Sequence, residues 1–191
     1  SGVVDFVDWL STDGAVTDTW HIQGEGTFTE TVQALDPESG HLRAVETERI
    51  CEVDCALRWG IGYDAQLESF VNIIATPKGG THVAGFEQAV LKVLRSQVDK
   101  NARKLKVSAK DGRPEKDDVL AGMTAVVTVR FPEPQFEGQT KEILGTPQIR
   151  TVVARVVGDW LESKFASSKR DDKQQTSALL EKVVGEMKAR V

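Results

Sequence analysis

Alternating apolar and polar residues along the chain predict a β-sheet. The alternation is clearest over residues 51–59, where Cys, Val, Cys, Leu and Trp occupy every second position. Because successive side chains of a strand point to opposite faces, this pattern indicates a strand with one buried face. Related patterns predict strands over residues 19–32, 41–59, 65–74 and 121–131, with a turn at 36–40 and a hairpin turn at 60–64.

Apolar residues spaced three and four apart predict helices in the remaining segments. These helices are expected over residues 3–10, 81–105, from Thr146 onward, and 172–191. Thr81 is expected to cap the second helix, and Thr146 with Pro147 forms a typical helix start. The last helix has a thin apolar stripe, formed by Leu180, Val184, Met187 and Val191, which favours an arm over a buried element.

This order of elements predicts an α+β fold, with one mixed or antiparallel sheet and helices packed on one face. The 191 residues suit one domain, or one domain with an appended helix. No apolar run approaches the roughly 20 residues that span a bilayer, and the first residues show no signal-peptide pattern. We therefore expect no membrane partner and a cytoplasmic location.

The net charge of the chain limits the kinds of partner that it can bind. A net charge of −5 argues against a general nucleic-acid coat. A local basic surface remains open, because residues 92–116 contain nine basic and three acidic side chains. Backbone contacts to DNA and an ordinary solvated helix face are both compatible with this segment.

The two cysteines, Cys51 and Cys55, are four residues apart and would share one face of a strand. Two cysteines alone are too few for a metal site, and no further Cys or His follows at ligand spacing. We expect buried thiols in a reducing compartment, and no metal bound by this chain.

The candidate chemistry lies in the loop around residues 131–145. Pro132 and Pro134 stiffen the entry to this loop, and Gly138 permits a tight turn. Gln139 offers an amide and Lys141 a compact charge, a pair suited to an anionic oxygen such as a phosphate. Taken alone, an exposed surface lysine is the simpler interpretation.

A second candidate is the start of the helix at Thr81 and His82, which follows two glycines. A helix N-terminus can bind an anion. No Lys-Ser pair of a phosphate-binding loop follows, so we favour a helix cap and a packing histidine. No Ser-His-Asp arrangement or carboxylate pair emerges from the spacing of the other residues.

Three blocks of sequence occur together in one known family. They are VDCALRW to ESFVN (residues 53–72), GGTHVAGF (79–86), and a segment containing GMTAVVTV and PQFEGQTKEILG (119–145). In order and spacing they resemble the transducer domain of type IIA topoisomerase ATPase subunits. With the flanking helices, the resemblance covers nearly the whole chain.

The resemblance implies a fold like domain 2 of ribosomal protein S5, with a long C-terminal helical arm. Residues 1–18 would be the end of a preceding GHKL ATPase domain and its linker helix, and residues 19–170 the transducer domain. Residues 171–191 would lead to a TOPRIM domain. Neither an ATP-site motif nor a TOPRIM signature occurs in the chain, so a piece of a longer protein is expected.

The resemblance also implies a function. Lys141 would contact the γ-phosphate of ATP held by the neighbouring domain, with Gln139 assisting, and so couple ATP hydrolysis to DNA strand passage. The implied partners are double-stranded DNA, a DNA-cleaving partner protein, and a second copy of the same chain on ATP binding. Mg²⁺ would act in the intact enzyme, and the fragment alone would be inactive. Without nucleotide, residues 135–145 are expected to be mobile.

Alternatives remain open at this point. The residues around GGTH look nearer the topoisomerase IV type, or a second actinobacterial type, than gyrase. An S5-like RNA-binding module without ATP coupling is a rival, although −5 is an unusual charge for one. A transducer of mismatch-repair or chaperone ATPases is another, although the GGTH and QTK spellings do not suit it.

Overall fold

The computed structural model describes residues 2–190, which form a five-stranded mixed sheet, a small two-stranded sheet and helices. The strands are β1 (Trp20–Leu35), β2 (Leu42–Trp59), β3 (Gln66–Val71), β4 (Ile74–Ala75), β5 (Met123–Arg130), β6 (Phe136–Glu137) and β7 (Ile143–Leu144). The helices are α1 (Gly2–Leu10), α2 (Thr81–Lys100), α3 (Ala102–Leu105), α4 (Lys116–Leu120), α5 (Gln148–Ala166) and α6 (Arg170–Arg190), with a 3₁₀ turn at Ala109–Asp111.

The strand order, β1-β2-β5-β3-β4, corrects the predicted hairpin at residues 60–64. Instead of pairing with each other, β2 and β3 lie on either side of β5, which is antiparallel to β2 and parallel to β3. Gly60 donates a backbone hydrogen bond to Gly122, just before β5. A glycine-rich turn between two strands therefore leads here to a crossover, and the local sequence does not distinguish the two connections.

The antiparallel pair of β1 and β2 extends well beyond the rest of the sheet. Their pairing runs from Trp20 opposite Leu57 to Leu35 opposite Leu42. β5 covers β2 only along residues 52–59. The outer part of the pair is consequently a two-stranded ribbon, and Leu35 and Leu42 are exposed at its tip.

Helices cover both faces of the sheet, which corrects the prediction of helices on one face. The main core lies between one face and α2, α5 and α6, and it includes Trp59, Phe86, Ile149 and Leu179. α1 packs on the other face, where Val7 meets Ala56 and Val126. Ala56 and Val126 occupy positions that the alternating pattern assigns to the outward side, and their small apolar side chains accommodate the helix.

The predicted C-terminal arm is also wrong for the residues described. α6 buries Gln175, Thr176, Leu179, Leu180, Val183, Val184 and Met187. Gln175 accepts hydrogen bonds from the Trp20 indole (3.0 Å) and the Asp18 backbone (2.8 Å). Buried polar residues widen the packed face beyond the apolar stripe, so the helix forms part of the domain. Val191, the last residue of that stripe, lies outside the described residues.

Two further sequence predictions concern cysteines and membranes. Cys51 and Cys55 are buried and unbridged, as expected, and burial raises the pKa of each thiol to about 12. Across residues 2–190, none of the helices has the length and apolarity needed to cross a bilayer.

Candidate functional site

The Gln-Thr-Lys loop is the tip of a short hairpin. β6 and β7 pair through Phe136 with Leu144 and through Glu137 with Ile143. Gly138 begins the turn with φ +79°, a conformation that glycine adopts without strain. Gln139 and Lys141 are both exposed at the tip, and neither forms a hydrogen bond or ion pair with the rest of the described chain.

Lys141 has an uncommon backbone for a lysine, with φ +58°. A left-handed conformation costs a non-glycine residue roughly 1–2 kcal/mol. Such strain persists where surrounding structure enforces it and is common at ligand-binding positions. The hairpin thus gives the Lys141 backbone a specific conformation, and its exposed ammonium group has no partner within residues 2–190.

The residue after Lys141 is fixed to the segment before α2. The Lys78 ammonium lies 3.0 Å from Glu142 Oε2, and the Lys78 backbone N–H donates to the Glu142 carbonyl at 3.1 Å. The hydrogen bond and charge of Lys78 lower the pKa of the Glu142 carboxyl group. The start of α2 therefore contacts the hairpin directly beside the candidate lysine.

The base of the hairpin is held by backbone and hydroxyl groups. Gln135 donates its backbone N–H to Thr146 Oγ1 (2.9 Å) and accepts from Gly145 N–H (2.7 Å). Its side-chain amide reaches Glu30 of β1 at 3.3 Å. These bonds connect both ends of the loop. The mobility expected for residues 135–145 without nucleotide stays a prediction.

Thr81 does not cap α2, contrary to the sequence prediction. The N-cap residue is Gly80, without a side-chain cap bond, and the Thr81 hydroxyl donates to the Thr146 carbonyl at 2.8 Å. The helix also ends earlier than predicted, at Lys100, because the backbone breaks at Asn101 before α3. The Thr81 hydroxyl therefore bonds to the end of the hairpin segment and not to the N-terminus of α2.

His82 is fully buried beside this helix start. Its Nε2 atom lies 3.0 Å from Thr76 Oγ1, which in turn is 2.7 Å from Ser69 Oγ. Burial lowers the pKa of His82 to about 4. This environment favours the packing interpretation over anion binding, because the neutral imidazole lies within the core.

The basic segment forms a largely unpaired surface. Arg95 bonds to a backbone carbonyl, and Arg113 and Lys116 form ion pairs with acidic residues. The other six basic side chains of residues 92–116 are exposed and form no ion pair within residues 2–190; they are Lys92, Lys100, Arg103, Lys104, Lys106 and Lys110. From α6, Lys188 reaches the Lys106 carbonyl at 2.8 Å, so a second element adds charge here.

No group of three or more His, Cys, Asp or Glu side chains suited to a metal ion occurs in residues 2–190. The sequence patterns did not reveal roles for Lys78 and Glu142, or the contact of Gly80 with Leu144. Residues 80 and 144 are distant in the sequence, so no local pattern predicts their contact. The two glycines of GGTH were the available signal, since they mark a close backbone approach.

Comparison with known proteins agrees with this fold. The family model for DNA gyrase B matches residues 2–191. The DNA gyrase B protein of Treponema denticola is 36% identical over 162 residues, which are 85% of this chain and 24% of that protein. The chain thus spans about a quarter of the length of this relative.

Two solved structures match at similar identity. The 43K ATPase domain of Thermus thermophilus gyrase B, in complex with an aminocoumarin, has a TM-score of 0.70 and 26% identity, over 99% of this chain and 44% of that one. The topoisomerase IV ATP-binding domain of Francisella tularensis has a TM-score of 0.60 and 28% identity, over 73% and 36%. The choice between the gyrase and topoisomerase IV types therefore stays a prediction.

The family match, the relative and the two structures agree with one another. They count against an RNA-binding module and against the transducers of other ATPase families. The chain belongs to the DNA gyrase B family of type IIA topoisomerases.

Proposed function

We propose that this chain is the transducer domain of a bacterial type II topoisomerase, which couples ATP hydrolysis in an adjacent domain to DNA strand passage. The proposal rests on Lys141, which is exposed at a hairpin tip, has a left-handed backbone and forms no ion pair within residues 2–190. A lysine in this state can form a charge-assisted contact with a phosphate oxygen.

The solved gyrase B structure supports a neighbouring nucleotide site. This chain matches 44% of that ATPase domain, so more than half of it has no counterpart here. ATP would be held mainly by that other part, together with Mg²⁺. Gln139 and Lys141 are chemically suited to approach its terminal phosphate, because an amide and an ammonium both donate hydrogen bonds. The fragment alone would not hydrolyse ATP.

A contact to the γ-phosphate suits a switch. Hydrolysis removes that group, so Lys141 would have a partner in one state of the cycle and none in the other. A ligand that binds two conformations unequally shifts the balance between them. The hairpin and the helices attached to it would then adopt different positions before and after hydrolysis.

The partners proposed for the intact protein are double-stranded DNA, a DNA-cleaving partner protein and a second copy of the same chain. The six exposed basic side chains of residues 92–116 that form no ion pair within residues 2–190 support the DNA contact, because Lys and Arg neutralise backbone phosphates. The overall charge of −5 confines this contact to a local surface.

Substitution of Lys141 in the intact protein, reconstituted with its DNA-cleaving partner, tests the proposal. We expect Lys141→Ala to retain ATP binding while ATP hydrolysis and supercoil relaxation fall by at least tenfold, as expected for the loss of a charged transition-state contact. Lys173→Ala, at an exposed lysine of α6, is the matched control. Unchanged hydrolysis and relaxation in Lys141→Ala would contradict the proposal.

The purified chain provides a second test. ATP turnover by the 191-residue chain should equal that of its own Lys141→Ala variant. ATP turnover clearly above that of the variant would show that the chain contains its own ATPase site. It would contradict the proposal that ATP is hydrolysed in an adjacent domain.

A further inference from the structure

β7 pairs with other segments along both of its edges, with β6 on one side and with Gly80 on the other. On one side, Leu144 pairs with Phe136 of β6. On the other side, Leu144 forms a parallel bridge with Gly80, and its N–H donates to the Gly79 carbonyl at 3.0 Å. Leu144 is fully buried. The strand that leaves the Gln-Thr-Lys loop is thus paired with the start of α2.

Gly80 can approach this strand because it has no side chain. Its φ of +138° is a conformation that other residues rarely adopt. A Cβ atom at Gly80 would overlap the backbone nitrogen and carbonyl oxygen of Leu144. Any larger residue would have to move the hairpin, the helix start, or both.

Two more contacts flank this bridge, and together the three follow the strand at every second residue. Glu142 is held by Lys78, Leu144 by the two glycines, and Thr146 by the Thr81 hydroxyl. Alternate residues of an extended segment point to the same side. The whole segment after Lys141 therefore lies with one side along residues 78–81.

We infer that residues 78–81 are the anchor that positions the Gln-Thr-Lys loop for its phosphate contact, an inference that rests on the proposed function. The anchor continues directly into α2, whose Phe86 and Val90 are buried in the main core. A shift of Lys141 on gaining or losing phosphate is transmitted to α2 through these contacts. Gly80 and Thr81 are positioning residues, because they act through Lys141.

The hydroxyl of Thr81 offers the mildest test in the intact protein. Thr81→Val keeps the shape and removes the bond to Thr146, whereas Thr81→Ser retains a hydroxyl. Small misplacements of a catalytic contact can lower rates about a hundredfold. We expect Thr81→Val to lower kcat for ATP hydrolysis by about tenfold with an unchanged KM, and Thr81→Ser to restore it. Equal rates for the Val and Ser variants would overturn the inference.

Gly80→Ala is the stronger variant, and Gly40→Ala is its matched control. Gly40 also has a positive φ, +72°, but a Cβ atom there would meet nothing within 4 Å. We expect Gly80→Ala to lower kcat and to accelerate tryptic cleavage after Lys141, and Gly40→Ala to change neither. If Gly80→Ala does not fold, the comparison of Thr81→Val with Thr81→Ser tests the inference.

A double-mutant cycle separates this inference from the function on which it rests. If the anchor acts through Lys141, Thr81→Val will cause no further loss of kcat in a Lys141→Ala background. An equal loss in both backgrounds would overturn the anchor and leave the phosphate contact intact. A silent Lys141→Ala would overturn the proposed function, and the positioning role of the anchor with it.

Discussion

Gly85 of α2 lies directly against the backbone carbonyl of Arg150 of α5, so that a Cβ atom at Gly85 would overlap that oxygen. The backbone cannot yield as a flexible side chain can. We expect Gly85→Ala to force the two helices apart and to lower the free energy of unfolding by about 1–3 kcal/mol, the usual cost of overpacking. Urea denaturation monitored by circular dichroism measures this.

The same helix pair offers a matched control at Gly158 of α5. A Cβ atom there would meet Ala89 Cβ at 4.0 Å, an ordinary contact. Alanine is the better helix former by about 1 kcal/mol. Gly158→Ala should therefore leave stability unchanged or raise it. Equal destabilisation by both substitutions would contradict the claim that the Arg150 carbonyl sets the helix separation.

His82 should make the fold sensitive to mild acid. Its pKa is about 4 in the folded chain, below the ordinary 6.5, because burial disfavours the charged form. Below pH 6.5 the unfolded chain therefore binds a proton that the folded chain does not. Stability should fall as the pH drops from 6.5 to 4, by about 3 kcal/mol from this group, and the effect should be absent above 6.5.

The measurement is urea unfolding at several pH values for the wild type and for His82→Gln. The substitution removes the titrating group, so the variant should lose less stability between pH 6.5 and 4, whatever its stability at neutral pH. Parallel pH profiles for wild type and His82→Gln would refute this assignment.

Sequence patterns predicted the elements better than their arrangement. Alternation identified β5 correctly, but its insertion between β2 and β3 depends on pairing across distant parts of the chain, which periodicity does not report. For α6, the burial of Gln175 depends on Trp20 and Asp18, both distant in sequence. The Gln-Thr-Lys loop was visible in the sequence, whereas its contact with Gly80 required the fold.

The exposed basic side chains of residues 92–116 predict a salt dependence of DNA binding. Each phosphate contact contributes about 0.9 to the slope of log affinity against log salt concentration. We expect the double substitution Arg103→Ala and Lys104→Ala to reduce this slope by up to about 2 in the intact protein, measured by fluorescence anisotropy with duplex DNA. Lys116→Ala, which removes a lysine already paired with Glu87, should change the slope less. An unchanged slope in the double variant would exclude these two residues from the DNA contact.

Two substitutions of Lys141 separate the effect of this position on stability from its effect on ATP hydrolysis. Its φ of +58° strains alanine as much as lysine but suits glycine. We expect the Lys141→Gly variant to be more stable than Lys141→Ala by about 1 kcal/mol, measured by urea denaturation, because the left-handed strain is relieved. Both variants should lose ATP hydrolysis in the intact protein, since both lack the ammonium group.

Gly138→Ala provides the converse control, because its φ of +79° is strained for alanine while Lys141 is retained. Equal stability of the Gly and Ala variants would show that the tip relaxes freely and that the fold does not hold Lys141 in place.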